Sequence, residues 1–300
     1  MYDGEKGRVR MRGLTYYLVD VFAQERYAGN QLAVVTGAFF LPDERMQAIA
    51  NEMHFSETTF IPSSEKRNGG FDVRIFTPSI EVPFAGHPTL GTAYVIKHFV
   101  QEDDGGDTVV LNLKAGQIPV RFERHGAEEV LWMKQLPPTF GRAFAVEELA
   151  NVLQLNTADF DDAFPIQLVS TGLPFIIVLL KTLDAVKRAK VNLDQLLKLQ
   201  VEAGVLVFCR ETVERGNDLH VRVFVPLFGT VEDPATGSGN GCLAGYLSRY
   251  RYFGADKIDA KVEQGYEIRR PSLLLLKAEN AGSKIEVGGK VFLVAEGKLV

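Results

Sequence analysis

The sequence predicts an α+β protein of two similar halves, each a curled mixed β-sheet around one central helix. The main observation is a repeat: an alternating strand, a proline-containing loop and a helix of small and apolar residues occur in residues 71–98 and again in 219–250. Both strands contain VR(I/V)F. A second observation is that several strand connections are short hairpins. Because hairpins cannot join parallel strands, they disfavour a doubly wound parallel sheet.

The elements of the first half are predicted from residue type. β-branched and aromatic residues indicate strands, and Pro42 with acidic residues behind it indicates the start of an amphipathic helix. The helix that begins near Gly86 is apolar nearly all round, which predicts that it is buried. In order, the predicted elements are strands 16–22 and 31–36, helix 42–55, strands 56–61 and 71–78, a loop that runs into a helix over 84–98, and a strand pair over 108–123.

The second half repeats this order. A glycine turn joins two strands, a helix and two more strands follow, and a second apolar helix begins at Gly237. The pattern around Gly288 and Gly289 predicts a final hairpin. The predicted elements are a strand pair over 166–180, helix 193–203, strands 204–209 and 219–226, helix 237–250 and a hairpin over 284–300.

The length of 300 residues suits two domains of ordinary size. The repeat places an N-terminal domain at residues 14–130 and a C-terminal domain at 131–290. The strand near 291–300 is a candidate member of the first domain. Residues 1–13 are charged and lack an apolar core, so we expect a disordered lead-in, not a secretory signal, with Met11 as a candidate start.

Composition disfavours several classes of partner. A net charge of −5 with scattered basic residues argues against nucleic acid, and the apolar runs are too short to span a membrane. The two cysteines, Cys209 and Cys242, form no disulfide framework and fit a reducing cytosol, so a cytoplasmic protein is expected. The five histidines show no metal-ligand spacing, so no metal is predicted.

The two loop-to-helix junctions are the most distinctive local feature. The amino end of a helix presents unpaired N–H groups and a partial positive charge. Gly86-His87 precedes one apolar helix and Gly237-Ser238 the other, and glycine allows a ligand to approach the backbone closely. Two such ends facing each other across a cleft are expected to bind a carboxylate or stabilise an enolate.

Four side chains near these junctions are candidates for catalysis. Glu57 opens an apolar strand, where partial desolvation raises the pKa of a carboxyl toward neutrality and makes it a usable base. His87 can donate or accept a proton, Asp233 lies just before a proline, and Ser238 starts a helix. Each also has an ordinary structural interpretation: a strand-end glutamate in water, a core histidine, an aspartate that fixes a turn, and an N-cap serine.

One carboxylate breaks the symmetry of the repeat. Aligning FSETTFI with AGVLVFC places Glu57 opposite Val205. A duplicated unit that keeps a carboxylate in one copy alone suggests a cleft between the halves with a single strong base.

Two other catalytic motifs are disfavoured. Gly239, Gly241 and Ala244 have the spacing of a dinucleotide fingerprint, but no clean strand leads directly into them, so the match is weak. A serine-hydrolase elbow requires glycine where Thr236 stands.

Five segments together resemble the phenazine-biosynthesis PhzF-like isomerase family. They are YAGNQLAVV, FSETTF, FTPSIEVPFAGHPTLGTA, EDPATGSGNGCLAGYL and QGYEIRRPS, and they span nearly the whole chain after Gly13. The resemblance implies a two-lobed fold shared with diaminopimelate epimerase. It also implies a cofactor-free enzyme that moves a proton on a carbon next to an unsaturated or carboxylate system. Since members usually form homodimers, we expect a homodimer that acts on a small-molecule carboxylate.

The resemblance also assigns roles to single residues. The family's base matches Glu57 in SETTF, its cleft histidine matches His87 in AGHPT, and its aspartate and serine match Asp233 and Ser238 in EDPATGS. The asparagine of AGNQ resembles the family's substrate-orienting residue. The expected substrate-binding residues are Asn30, Ser56, Gly86 and Gly237.

Diaminopimelate epimerases use two cysteines as acid and base, and this chain departs from them. The matching positions hold Ala85 and Thr236, neither of which can carry a proton at neutral pH. Isomerisation by one carboxylate is therefore preferred. Two hypotheses stay open beside it: a two-base amino-acid epimerase that uses Glu57 and Asp233, and a non-catalytic homologue that binds a small molecule or a protein.

Overall fold

A computed structural model of the protein describes residues 14–101, 106–126, 128–280 and 282–300. The predicted lead-in, residues 1–13, lies outside the described residues, as does Met11. In chain order the strands are β1 (Thr15–Val21), β2 (Asn30–Thr36), β3 (Glu57–Ile61), β4 (Phe71–Asp72), β5 (Arg74–Phe76), β6 (Glu81–Val82), β7 (Thr108–Leu113), β8 (Gly116–His125), β9 (Glu128–Gln135), β10 (Thr139–Ala143), β11 (Gln167–Ser170), β12 (Pro174–Leu179), β13 (Gly204–Cys209), β14 (Leu219–Val225), β15 (Thr230–Asp233), β16 (Ile258–Gln264), β17 (Ser272–Glu279), β18 (Lys284–Gly289) and β19 (Val291–Lys298).

The helices are fewer than the strands among the described residues, and most of them are short. Over the same ranges no helix is long and apolar enough to cross a membrane. A π-helical turn over Ile96–Val100 extends the second helix. The α-helices are α1 (Asp43–Met53), α2 (Gly86–Val95), α3 (Val146–Leu153), α4 (Leu183–Arg188), α5 (Leu193–Lys198) and α6 (Gly237–Arg249), and short 3₁₀ segments lie at Ala38–Phe40, Thr157–Asp159 and Pro226–Phe228.

The strands form two sheets. A six-stranded sheet has the order β19-β1-β2-β3-β5-β6. The larger sheet runs β10-β11-β12-β13-β14-β16-β17-β18-β9-β8-β7-β4, with β15 paired to β14. The expected domain boundary between residues 130 and 131 lies inside β9, which pairs with β8 on one side and β18 on the other. Where the two domains divide therefore stays a prediction.

The two halves have the same strand pairing. In the first half β1 and β2 are antiparallel, β2 and β3 are parallel, and β3, β5 and β6 follow antiparallel. In the second half β11, β12, β13, β14 and β15 repeat this pattern. Segments 71–98 and 219–250 thus occupy equivalent places in the topology. The α+β class with mixed sheets is confirmed.

The two small-residue helices are the centres of these halves. Apart from Tyr94 in α2 and Arg249 in α6, every residue of both helices is buried. Helix α2 packs against β1–β3 and β7–β9, and α6 packs against β11, β12 and β16–β18. Gly91 allows this close approach, because a Cβ there would lie 2.6 Å from Leu32.

Each half also contains the same ion pair. The arginine of VR(I/V)F donates two hydrogen bonds to a glutamate on the strand that pairs with it. Arg74 binds Glu81 at 2.8 Å through both bonds, and Arg222 binds Glu232 at 3.0 and 2.7 Å. The two hydrogen bonds of each pair hold in place the strand that leads to the central helix. In the second half this also fixes the position of Asp233, which directly follows Glu232.

Two predicted elements are wrong. The strand expected over 71–78 breaks at Val73, because β4 pairs with β7 in the large sheet whereas β5 pairs with β3 in the small one. The hairpin expected over 284–300 does not form. Strand β18 pairs with β17 and β9, and after Lys290 the chain enters the other sheet, where β19 pairs with β1.

Candidate active site

A cavity of about 530 Å³ lies where α2 and α6 begin, with both halves of the chain in its wall. Most of the lining is apolar. The polar side chains at the helix ends are Ser56, Glu57, Asp233, Thr236 and Ser238. Four of the eight expected site residues, Ser56, Glu57, Asp233 and Ser238, therefore line one cavity.

Glu57 is the carboxyl with the fewest partners in the cavity. Its side chain is 19% exposed, and its buried Oε2 atom has no hydrogen-bond partner within the part of the chain that the structure describes. Burial, together with the nearby charge of Asp233, raises its pKa from 4.5 to about 8. At neutral pH the side chain is mainly protonated, with an ionised fraction on the order of a tenth at pH 7.

The Asp233 carboxyl, in contrast to that of Glu57, accepts several hydrogen bonds. Thr236 Oγ1 donates to Oδ2 at 2.6 Å, while Asn30 Nδ2 and Ser56 Oγ donate to Oδ1 at 2.9 and 3.5 Å. Burial raises its pKa to about 6, and these three donors counteract the rise. Between about pH 6 and 8 the two carboxyls consequently hold one proton, with Glu57 as the protonated member.

His87 lies behind Glu57 and outside the cavity wall. Its Nε2 atom is 3.2 Å from the carbonyl oxygen of Gln31 and 3.6 Å from Glu57 Oε2. Because a carbonyl can only accept, Nε2 carries the proton in this contact. Burial lowers the pKa of His87 to about 3, against a smaller rise from the Gln31 contact, so the ring is neutral.

The amino ends of the two central helices face each other. A Cβ on Gly86 would lie 3.1 Å from Gly237 Cα and 3.2 Å from Ser238 N. Neither helix has a side-chain cap, since Ala85 has no polar atom and the Thr236 hydroxyl donates to Asp233 instead. The partial positive charge of both helix ends is thus left without a side-chain acceptor.

This contact corrects the expected lining of the cavity. Gly86 and Gly237 lie against each other and not in its wall, and Asn30 lies behind Asp233. The glycines therefore allow the two helices to approach closely. The sequence predicts instead that they leave room for a ligand. The role of each expected residue in binding or catalysis stays a prediction.

Gly86→Ala is expected to lower the free energy of unfolding by about 1–3 kcal/mol, because the added methyl would meet backbone atoms of the other helix. Urea denaturation measures the effect. Alanine is the better helix former by about 1 kcal/mol, so a loss of stability isolates the helix contact. Unchanged or higher stability would contradict this close packing.

The strand register corrects the alignment of the two halves. The residue that pairs with the phenylalanine of VR(I/V)F is Thr58 in the first half and Val205 in the second. Glu57 therefore corresponds to Gly204, one residue before the predicted partner. The carboxylate is still confined to one half, but the other half has no side chain at all at this position.

Two supporting residues were not identified from the sequence. No role for Thr236 is predicted from the sequence, yet its hydroxyl donates to Asp233. Gln264 donates to the Asp233 carbonyl at 2.8 Å and to Thr236 Oγ1 at 3.1 Å, which holds the loop before α6. The available signal was its place at the start of QGYEIRRPS, a segment that carries the family resemblance.

Comparison with known proteins identifies the family of the chain. The sequence profile of the phenazine biosynthesis-like proteins matches residues 19–297. The chain belongs to this family. Trans-2,3-dihydro-3-hydroxyanthranilate isomerase of Pseudomonas aeruginosa is 34% identical over 287 residues, which cover 94% of this chain and 98% of that enzyme. Like its named relatives in the family, the protein is an isomerase.

Solved structures support the same family and fold. The PhzF-family phenazine biosynthesis protein of Bacillus anthracis has a TM-score of 0.86 at 29% identity, with 96% of this chain and 99% of that chain covered. A probable proline racemase of Agrobacterium radiobacter K84 has a TM-score of 0.60 at 11% identity, with 96% and 93% covered. The latter likeness concerns the fold alone and confirms the epimerase-like architecture.

Proposed function

We propose that the protein is a cofactor-independent isomerase that moves a proton between carbon atoms of a small carboxylate-bearing metabolite, with Glu57 as the general acid and base. The observation that carries the proposal is the Glu57 carboxyl itself. It lines a cavity, its Oε2 atom has no partner among the described residues, and its pKa is about 8. A carboxyl that titrates near neutral pH can both take and return a proton.

The proposed reaction has two proton transfers on one face of the substrate. Ionised Glu57 takes a proton from carbon, so a C–H bond breaks and an O–H bond forms. The electron pair that is left delocalises into the adjoining unsaturated or carboxylate system. Glu57 then returns the proton to a second carbon of that system, which restores the ionised carboxylate and gives the isomer.

The helix ends are proposed to stabilise the charge that develops. The substrate carboxylate gains negative charge as the proton leaves, and the uncapped amino ends of α2 and α6 both begin at the cavity. Fixed N–H groups aimed at such charge lower the barrier without reorganisation. Ser238 is proposed to add a hydroxyl to this anion site.

The remaining residues are proposed to position these groups. Neutral His87, 3.6 Å from Oε2, limits the orientations of Glu57. Asp233 stays ionised at neutral pH and keeps the proton on Glu57 by repulsion. Asn30 and Ser56 orient Asp233 toward the substrate.

A two-base epimerase remains the second candidate, because a second carboxyl, Asp233, lines the same cavity. Against it, Asp233 already accepts hydrogen bonds from three side chains, which limits its freedom to take a proton from carbon. The two candidates differ in outcome: an epimerase inverts one stereocentre, whereas the proposed isomerase moves a proton to another carbon.

A metabolite extract incubated with the protein in D₂O is expected to contain one small carboxylate that gains deuterium or converts to an isomer. Mass spectrometry after chromatography detects either change. Since a relative is named for it, trans-2,3-dihydro-3-hydroxyanthranilate is the first defined compound to add. No change in any metabolite would contradict the proposal, and inversion at a single carbon would favour the epimerase. The homodimer and the cytoplasmic location also stay proposals.

A further inference from the structure

The wall of the cavity has a polar end and a larger, mainly apolar part, which also contains Thr77, Gln117, Lys134, Gln135, Thr171 and Thr230. The polar side chains that line it near the helix ends are Ser56, Glu57, Asp233, Thr236 and Ser238, whereas most of the remaining lining is aliphatic or aromatic. The aromatic members are Phe84, Phe175 and Phe228, which come from three separate segments of the chain. A volume of about 530 Å³ falls within the roughly 300–1,000 Å³ of pockets that hold drug-sized ligands.

The broken symmetry of the repeat creates one aromatic surface of this wall. Gly204 occupies the position that corresponds to Glu57, and the Phe175 ring fills the space of the missing side chain. A Cβ at Gly204 would lie 2.5 Å from Phe175 Cε1, and a Cβ at Gly239 would lie 3.3 Å from the same atom. The first half therefore presents a carboxyl to the cavity, and the second half presents a ring from the matching place.

Three large apolar side chains of the lining are also open to solvent. Leu136 is 65% exposed, Leu173 39% and Phe228 41%. Single exposed apolar residues are ordinary on a protein surface. Three that line one cavity are the arrangement expected where a ligand covers them.

One buried donor of a lining residue has no partner among the described residues. Gln135 Nε2 is buried and has no acceptor over the described residues, although Gln135 lines the cavity. A buried donor without an acceptor costs about 1–3 kcal/mol. An acceptor atom on a bound ligand would remove this penalty once rotation of the amide brings Nε2 to the cavity surface.

From these observations we infer that the substrate is a carboxylate with a sizeable apolar group, such as an aryl ring, and one hydrogen-bond acceptor beyond its carboxylate. The inference rests on the proposed function, since the carboxylate and the reacting carbon are assigned to the Glu57 end. The apolar group lies against Phe84, Phe175 and Phe228, and the acceptor binds Gln135. A ring that carries only polar substituents would leave this apolar surface in contact with water.

Binding of unreactive probes tests the substrate class without turnover. Benzoate, biphenyl-4-carboxylate and biphenyl-4-methanol share a ring, and they separate the contributions of the second ring and of the charge. By isothermal titration calorimetry, biphenyl-4-carboxylate is expected to bind at least about tenfold more tightly than benzoate, because its second ring leaves water. Biphenyl-4-methanol, which has no carboxylate, is expected to bind at least about tenfold more weakly than biphenyl-4-carboxylate.

Substitutions at the exposed lining residues test where the second ring of biphenyl-4-carboxylate binds. Leu173→Ser with Phe228→Ser is expected to weaken biphenyl-4-carboxylate about fivefold or more and to leave benzoate within about twofold. Both positions are more than a third exposed, so the fold should tolerate the changes. Leu197→Ser, at a 55% exposed position outside the cavity lining, is the matched control and should change neither affinity.

Equal affinities for benzoate and biphenyl-4-carboxylate would overturn the inference. So would an affinity advantage of biphenyl-4-carboxylate over benzoate that is unchanged in the double variant. These outcomes are distinct from failure of the proposed function. If the metabolite that changes in D₂O is polar throughout, the substrate class is wrong and the isomerase stands. If biphenyl-4-carboxylate binds tightly in the cavity and no metabolite changes, the proposed function is wrong and the inferred class of ligand stands.

Discussion

Glu57→Gln is expected to abolish isomerisation and deuterium exchange while the protein stays folded. Glutamine keeps the size of the side chain and its hydrogen-bonding atoms but cannot take a proton from carbon. Loss of a general base typically lowers a rate by about 10²–10⁴-fold. The effect should lie at the upper end of that range, because the other cavity carboxyl, Asp233, is held by three donors. The rate of substrate conversion by chromatography, with circular dichroism as a check of folding, measures it.

Glu52→Gln is the matched control for this substitution. Glu52 lies in α1, is exposed and does not line the cavity. The same chemical change there should leave the rate unaltered. Activity of Glu57→Gln within about tenfold of the wild-type rate would exclude Glu57 as the base. Loss of activity in Glu52→Gln would indicate a general defect of the preparation.

The same Glu57→Gln substitution is expected to stabilise the protein at alkaline pH. The pKa of Glu57 is about 8 in the fold against an ordinary value of 4.5, so the folded chain holds this proton more tightly than the unfolded chain. Stability from this group is complete below about pH 4.5 and is lost as pH rises through about 8. Because each unit of pKa difference is worth about 1.4 kcal/mol, the penalty at pH 9 reaches at most roughly 5 kcal/mol.

Glutamine has no proton to lose, so the difference in free energy of unfolding between variant and wild type isolates this titration. The difference should be near zero at pH 4.5 and should grow to several kcal/mol in favour of Glu57→Gln at pH 9. Urea denaturation at a series of pH values measures it. The titration of His87 occurs in both proteins and largely cancels. Asp233 interacts electrostatically with Glu57, so any change in the Asp233 titration forms part of the measured difference. A difference that stays constant with pH would show that Glu57 is ionised in the fold at neutral pH.

The repeat was sufficient to predict the architecture. Two helices that are apolar all round had to be buried, and α2 and α6 are. Period-two alternation in VR(I/V)F and its flanking residues identified the strands beside them. The polar end of the cavity was also predictable in part, because each candidate carboxyl lies within a few residues of a helix start or a strand start.

The remaining features depend on contacts that no local pattern encodes. The break at Val73 arises because the chain changes sheets there, although its alternation continues unbroken. The alignment that sets Glu57 against Val205 also sets Phe60 against Phe208, a match of identical residues that is one residue out of register. Only strand pairing defines the correct register. The contact between Gly86 and Gly237 joins residues far apart in sequence, and glycine at a helix start is equally compatible with ligand binding.

The pairing of β1 with β19 has a consequence for how the chain is made. Thr15 pairs with Lys298 and Val21 with Val291, so the outer edge of the first sheet is closed by a strand that is synthesised after both central helices. While the protein leaves the ribosome, β1 has β2 on one side and an open edge on the other. Open edges invite pairing with other chains. The first sheet therefore acquires its outer strand only after β19 has been synthesised, although its helices α1 and α2 are made much earlier.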